Sequence, residues 1–502
     1  MANPGHHAAN RPDDPALIIA DTGETLTWAG LHNMAVAAAN HLHDLGLRPG
    51  DPVAFCLENR FEFAAMVWAA QYSGLRYTPI SSRLTRDEIA YMVADCETTV
   101  LIHSNETAVA GEAAASAGRA VRVVDVDVPG AIDWREGAAQ ARFDRVEGIT
   151  MLYSSGTTGR PKGVRRPAPP EPIEELPPGD RMLASAYGIE PASVYLSTAP
   201  LYHSAPLTFL LQMGRIGATT VVMRRFDAAG ALEAIERYRV THSQWVPTMF
   251  VRMLALPEAD RNGRDLSSHV FAIHGAGPCP VHVKEAMLDW WGPIVHEYYA
   301  GTEGAGMCVI GPDEWLAHKG SVGRSIRGPV QILDDDGRPL GPGQIGQIWF
   351  ANSADFSYHR DGAKTAGARG PGGSGTFGDI GYVDEDGYLY LTDRKSFTIN
   401  AGGINIYPRE VEEVLMKHPA VFDVAVFGIP NAEYGEEVKA VVQPATGWHA
   451  SDDLAVQLVE HCRTQLASFK LPRTIDFIDE LPREPTGKLR VAQLRAQYTD
   501  LR

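Results

Sequence analysis

Apolar residues in the first three hundred positions fall into short continuous runs separated by longer stretches at helical spacing. Residues 16–20, 52–57 and 77–80 read as strands, and residues 31–45 and 61–73 as helices, with turns at Arg48-Pro49-Gly50-Asp51 and at Gly74. The same rhythm returns at 194–198, 270–273 and 293–299, each a strand-like run closed by small or turn-forming residues. Strands that alternate with helices across short turns predict parallel βαβ units with right-handed crossovers. From 320 to 395 the pattern changes to tight turns and short alternating runs such as Gly346-Gln347-Ile348-Trp349-Phe350, which predicts a small β subdomain. Beyond it, strands near 421–427 and 438–442 and helices over 408–417 and 453–466 predict a compact α+β unit, with Pro408 at a first helical turn where a missing N–H is harmless. The expectation is an α/β protein: a large N-terminal region of βαβ subdomains with a small β subdomain, residues 1–395, then a small α+β C-terminal domain, residues 396–502.

Composition narrows the function classes. The 502 residues are 44% apolar and 21% charged, an ordinary balance for a folded soluble chain. A net charge of −17 argues against sequence-independent binding to nucleic acid or to an anionic membrane surface. Five scattered cysteines without Cys-x-x-Cys spacing indicate neither a disulfide framework nor a zinc site, and suit a reducing cytoplasm. The N-terminal residues carry no apolar signal core, and no uninterrupted apolar run reaches the ~18 residues of a spanning helix. A cytoplasmic protein with no nucleic-acid partner and no integral membrane association is expected. Residues 167–178 hold six prolines and form neither a helix interior nor a central strand; they are a surface excursion or a lid.

The chemistry concentrates at Tyr153-Ser154-Ser155-Gly156-Thr157-Thr158-Gly159-Arg160-Pro161-Lys162-Gly163-Val164. The glycines allow several backbone N–H groups to point into one concavity, the four hydroxyls add donors, and Lys162 adds a point charge. This is a polyphosphate cradle in character. It is not a Walker A loop, because Lys162 follows a proline and no helical pattern starts behind it. Farther on, Gly275-Ala276-Gly277 follows a strand and leaves room for a flat ligand. Glu303, in Ala300-Gly301-Thr302-Glu303-Gly304, would repel an anionic ligand unless a cation lay between them, which makes it a candidate Mg2+ ligand. His103, His242, His274 and His282 read as structural or surface histidines.

These motifs, in this order and over nearly the whole chain, resemble the adenylate-forming superfamily of acyl-CoA synthetases, peptide-synthetase adenylation domains and firefly-type luciferases. The resemblance implies roles for individual residues. Ser154, Ser155, Gly156, Thr157, Thr158, Gly159 and Lys162 would hold the phosphates of ATP, with Gly275, Ala276 and Gly277 walling the adenine and acyl sites. Tyr299 would stack on adenine and Thr302 would reach the α-phosphate. Asp379, in Thr376-Phe377-Gly378-Asp379-Ile380-Gly381, would grip the ribose hydroxyls, and Arg394 would contact ribose and phosphate. His203, in Pro200-Leu201-Tyr202-His203, matches a family histidine beside the carboxylate substrate. Lys488, in Pro482-Arg483-Glu484-Pro485-Thr486-Gly487-Lys488, matches the adenylation lysine on a mobile C-terminal domain, and Gly402 and Gly403 match glycines that admit the pantetheine arm of CoA. Two positions depart from the family. Ser396 stands where a hinge Asp or Lys is usual, and Gly372-Gly373-Ser374-Gly375 lacks the usual Trp.

The activity implied is ATP- and Mg2+-dependent activation of a carboxylic acid to an acyl-adenylate, followed by transfer to CoA. Ser243-Gln244-Trp245-Val246-Pro247-Thr248, Trp290-Trp291-Gly292-Pro293 and Glu314-Trp315-Leu316-Ala317-His318 are most similar to bacterial fatty-acyl-CoA synthetases. Tyr202, His203, Trp245, Gly275 and Gly277 are the expected acyl-pocket residues, and a Trp245 turned inward would favour aromatic or medium-chain acids. The alternatives are a different acceptor, either a carrier protein or the nitrite chemistry of ATP-dependent diazotases, and a nucleotide-binding pseudo-enzyme.

Overall fold

The computed structural model describes residues 3–134, 141, 146–154, 161–167, 173–394, 397–401, 404–431, 433–484 and 489–499. Two α/β sheets form most of the N-terminal region. One is nine-stranded, in the order Arg324–Ser325, Met307–Ile310, Val295–Ala300, Phe271–His274, His242–Trp245, Val194–Ser197, Thr219–Val222, Pro15–Ile19, Thr25–Thr27. Its six inner strands are parallel and its outer strands antiparallel. The other sheet is five-stranded and parallel, running Arg122–Asp125, Val100–His103, Pro52–Cys56, Arg76–Pro79, Ile149–Thr150. Parallel strands buried on both faces read as unbroken apolar runs, which is why these strands stood out without a polar alternation.

One hydrophobic core joins the two sheets. It combines Leu17, Ile19 and Val222 of the larger sheet with Val53, Phe55, Tyr77 and Ile102 of the smaller, through helices Trp28–Asp44 and Phe61–Tyr72. The second of these is buried from Phe63 to Tyr72 without a break, as a helix enclosed on all sides must be.

The chain around the phosphate-loop stretch departs from expectation. Residues 149–153 read as a single strand, but Ile149–Thr150 ends the five-stranded sheet and Leu152–Ser154 starts a separate three-stranded one with Lys162–Arg165 and Ser357–Tyr358. The change of sheet occurs at Met151, whose side chain is fully buried among Ile89, Met92 and Leu101. Its consequence is functional: Ser154 pairs with Lys162, so these two residues lie side by side.

An antiparallel sheet of Val330–Leu333, Gly346–Phe350, Asp379–Val383 and Leu389–Arg394 forms the small β subdomain. The C-terminal lobe is built on Ile404–Ile406, Ile399–Ala401, Gly435–Pro444 and Val421–Asn431, with Thr474–Phe477 parallel to Gly435–Pro444. Helix Pro408–Leu415 has its proline in the first turn, and Asp452–Arg463 is capped by the Ser451 hydroxyl. Both pack on Ile399, Val424, Val442 and neighbours. Periodicity predicts neither the Thr474–Phe477 strand nor the closing helix Val491–Thr499. All five cysteines are buried and free, and no described helix is long and apolar enough to cross a membrane.

Candidate active site

The carboxyl ends of the parallel strands His242–Trp245 and Phe271–His274 and of Val295–Ala300 open into a cleft of about 1440 Å3, completed by the small β subdomain and the C-terminal lobe. Ligands in open α/β sheets bind at such ends, where loops can vary without disturbing the core. Ser154, Tyr202, His203, Ala276, Gly277, Tyr299, Thr302, Glu303 and Asp379 all line it. Ser155 to Gly159, Ser396, Gly402, Gly403 and Lys488 lie outside the described residues.

Each placement has a local cause. Ser154 ends its strand at the cleft, and its buried hydroxyl has no partner among the described residues. His203 is the N-cap residue of helix Ser204–Ile216 and packs against Tyr202, ring centroids 4.4 Å apart. Ala276 holds φ +68°, a left-handed backbone that a residue with a Cβ adopts only at a cost, and it directs the turn after Phe271–His274 along the cleft wall. Gly301 is required: a Cβ there would sit 2.5 Å from the Phe377 ring.

Tyr299 and Asp379 meet across the cleft, the tyrosine hydroxyl donating to Asp379 Oδ2 at 2.5 Å. Asp379 pairs in register with Arg394 on the neighbouring strand, so the two ribose contacts expected from the sequence are adjacent in the backbone. Glu303 is 8% exposed, and its Oε1 accepts the Tyr358 hydroxyl at 2.8 Å. Arg166, deep in the cleft yet open to its solvent, donates to the Thr302 carbonyl, and its guanidinium lies against Gly304. The surrounding protein lowers its pKa and the Glu303 carboxylate opposes that shift. Lys162 points to Asp361, Nζ to Oδ2 3.1 Å, and that hydrogen bond raises its pKa. Asp361 in turn caps helix Gly362–Ala368.

The C-terminal lobe supplies the remaining wall. Arg483, Glu484, Leu489 and Arg490, which flank residues 485–488, line the cleft. Arg483 pairs antiparallel with Leu489, and the Arg490 N–H donates to the Pro482 carbonyl, so these flanking residues run side by side. Arg483 also makes a two-pronged ion pair with Asp423, at 2.6 and 2.7 Å, on strand Val421–Asn431.

Two expectations are corrected. Trp245 does not line the cleft: it is 0% exposed and packs against Phe226, Phe250 and Trp291, its indole N–H donating to Ser243 Oγ at 2.6 Å. Strand side chains alternate, so its neighbours Gln244 and Val246 face the cleft instead. Gly275 likewise is not a cleft-lining residue; it is the point where Tyr298 crosses, and a Cβ there would lie 2.6 Å from that ring. The histidines read as structural behave so in two cases, the His103 and His242 rings bonding the carbonyls of Ser104 and Tyr187. His274 is fully buried beside the Lys284–Glu297 ion pair. Spacing gave no sign of Tyr358, Asp361, Asp423 or the cleft-facing Gln244, because each acquires its meaning from a partner distant in sequence.

Residues 5–356 match the family model described as AMP-binding enzyme, and residues 410–488 match AMP-binding enzyme C-terminal domain. The chain is 32% identical to a feruloyl-CoA synthase from Amycolatopsis sp, over 95% of this chain and 94% of that protein. It is 31% identical to the long-chain-fatty-acid–CoA ligase FadD13 of Mycobacterium tuberculosis, over 96% and 95%. Among solved structures, the o-succinylbenzoate CoA synthetase MenE of Bacillus subtilis, in complex with its acyl-adenylate intermediate, superposes with a TM-score of 0.83 at 28% identity, covering 100% of this chain and 99% of that one. With both family models matched in chain order and relatives aligned from end to end, this chain belongs to the AMP-binding, adenylate-forming enzymes.

Proposed function

We propose that this protein is an AMP-forming acid–thiol ligase: it activates a carboxylic acid with ATP and transfers the acyl group to CoA in the cytoplasm. The observation that carries the reading is the convergence of Ser154, Tyr299, Thr302, Glu303 and Asp379 in one cleft whose far wall includes Arg483, Glu484, Leu489 and Arg490, on either side of residues 485–488. The relatives support it, since the three named above are CoA ligases, synthases or synthetases by name.

A carboxylate is a poor electrophile, so activation precedes transfer. A carboxylate oxygen of the acid attacks the α-phosphorus of ATP, the bond to the β-phosphate oxygen breaks, and pyrophosphate leaves with that electron pair. The thiol of CoA then attacks the acyl carbonyl and AMP departs. Charge accumulates on phosphate oxygens in the first step. Thr302, Lys162, the 153–164 stretch and Lys488 are the donors assigned to meet it; losing one preorganised donor typically costs about 10²–10³ in rate. His203 stands beside the acid carboxylate, Tyr299 takes the adenine face, and Asp379 with Arg394 takes the ribose. Glu303 fits a divalent cation: the Tyr358 hydroxyl occupies Oε1 and leaves Oε2 to a ligand, and Mg2+ usually takes one or two carboxylates plus phosphate oxygens. No group of three His, Cys, Asp or Glu among the described residues competes as a metal site. Bound there, Mg2+ would neutralise charge on the phosphates. The division at residues 395 and 396, with Ser396 as hinge, would let the C-terminal domain present Lys488 first and the Gly402-Gly403 face second.

The test is pyrophosphate release from ATP and Mg2+ across a panel of acids, with and without CoA. Release that rises with CoA and yields a thioester, and that falls by about 10²–10³ in Lys488→Ala, is the expected result. Release indifferent to CoA would move the reading to another acceptor, and none with any acid would remove the ligase assignment.

A further inference from the structure

Lys162, the cation assigned above to the phosphates, has its side chain turned to a carboxylate. Its Nζ lies 3.1 Å from Asp361 Oδ2, with the two side chains 34% and 24% exposed. The two oxygens of Asp361 have separate duties. Oδ1 accepts the Lys364 N–H at 3.0 Å and caps helix Gly362–Ala368, while Oδ2 faces the lysine. Three residues earlier, the Tyr358 hydroxyl donates to Glu303 Oε1 at 2.8 Å, so residues 358–361 touch both charged groups assigned to the phosphate side of the cleft.

The backbone around this pair is fixed from two directions. Val164 pairs with Tyr358 and Arg165 with Ser357, and the His359 N–H donates to the Gly163 carbonyl at 2.7 Å. From helix Arg86–Asp95, the Tyr91 hydroxyl donates to the Pro161 carbonyl at 3.0 Å and the Asp95 carboxylate accepts the Tyr153 hydroxyl at 2.7 Å. The Asp95 carbonyl accepts from His359 Nε2 at 2.8 Å. With the chain on both sides of the pair held in this way, the flexible four-carbon stem of Lys162 is the part that can change partner. An ion pair in contact with water shifts an equilibrium by no more than about fivefold. Asp361 can therefore hold the ammonium and still yield it to a group of several negative charges, whereas a single phosphate competes less well.

We propose that Asp361 is a positioning residue that competes with polyphosphate for Lys162. The ammonium passes from Asp361 to the phosphates of ATP as the nucleotide binds, and returns to Asp361 as pyrophosphate leaves. Its effect is to weaken the hold on pyrophosphate, the first product under the ligase reading, on which the proposal rests for the role of Lys162.

The experiment is calorimetric titration of the full-length protein with pyrophosphate in the presence of Mg2+, and separately with AMP. Both titrations are made on the unsubstituted protein, Asp361→Asn, Lys162→Met and the double variant. Asparagine caps helices as well as aspartate does, so Asp361→Asn keeps the duty of Oδ1 and removes the charge at Oδ2. Pyrophosphate should bind about three- to fivefold more tightly to Asp361→Asn, with AMP unchanged. In the Lys162→Met background the same substitution should add nothing, which a cap or a general charge effect would not produce. Asp361→Ser, which also caps, repeats the test should Asp361→Asn not fold. Unchanged or weaker pyrophosphate binding in Asp361→Asn, an equal gain for AMP, a gain that persists without Lys162, or no pyrophosphate binding by the unsubstituted protein overturns the proposal. Acid-dependent pyrophosphate release from ATP is measured alongside. If no acid elicits it while the titrations behave as expected, the ligase reading fails alone.

Discussion

Tyr299 presents a ring to the cleft and fixes Asp379 with its hydroxyl, and the two duties are separable by one substitution. Tyr299→Phe keeps the ring and removes the 2.5 Å bond to a carboxylate. Hydrogen bonds to charged groups contribute about 1.5–3 kcal/mol, of which water recovers part, so KM for ATP should rise roughly tenfold with kcat little changed. Steady-state pyrophosphate release measures both, and an unchanged KM would sink the assignment of Asp379 to the nucleotide. At this scale the sequence was legible where chemistry demands a residue type at a turn: Thr302, Glu303, Asp379 and Ser154 all reach the cleft. It was not legible where only facing decides. The strand His242–Trp245 is buried throughout, so no polar side marks its phase, and the eye settles on Trp245 when Gln244 faces the cleft.

Elements were readable in proportion to their periodicity. The parallel strands and the Pro408–Leu415 helix were evident, whereas the Thr-Ile-Asp-Phe alternation of Thr474–Phe477, with Ile475 and Phe477 packed on the core, is too short to stand out from its surroundings. The Pro408–Leu415 helix also places Glu412, whose carboxyl is enclosed by protein and accepts the Val426 N–H at 2.9 Å. Burial is the largest influence on it; Asp393 and Asp423 add to the upward shift, the Val426 bond and Arg483 oppose it, and the result lies at about 7 against an ordinary 4.5. Between those values the unfolded chain has lost a proton that the folded chain retains. Stability therefore falls as pH rises from about 4.5 to about 7, by at most about 3 kcal/mol for this group. Glu412→Gln should flatten that part of the profile, so that urea unfolding at pH 5 and pH 8 differs less in the variant than in the parent. Equal pH dependence in both would contradict it.

For the molecule as a whole, the strongest single commitment is the ion pair beneath the cleft. Lys284 Nζ lies 2.6 Å from Glu297 Oε2, both groups are buried, and the ammonium sits 4.8 Å from the centre of the Trp315 ring. It fastens helix Val281–Trp291 to strand Val295–Ala300. Lys284→Met should cost about 3–5 kcal/mol in urea unfolding, because a carboxylate is left without its cation. Adding Glu297→Leu should restore most of that loss, which a mere packing defect at Lys284 would not allow.

The Arg483–Asp423 pair has a consequence on the same scale. Arg483 is tied to strand Val421–Asn431 and bridged to Leu489, so the residues on either side of 485–488 travel with their own lobe. The lobe acts as a handle and Arg483 with Leu489 as its tip. A compound lodged at the seam between the lobes, far from nucleotide and acid alike, would then hold the tip away from both and stop turnover without resembling either.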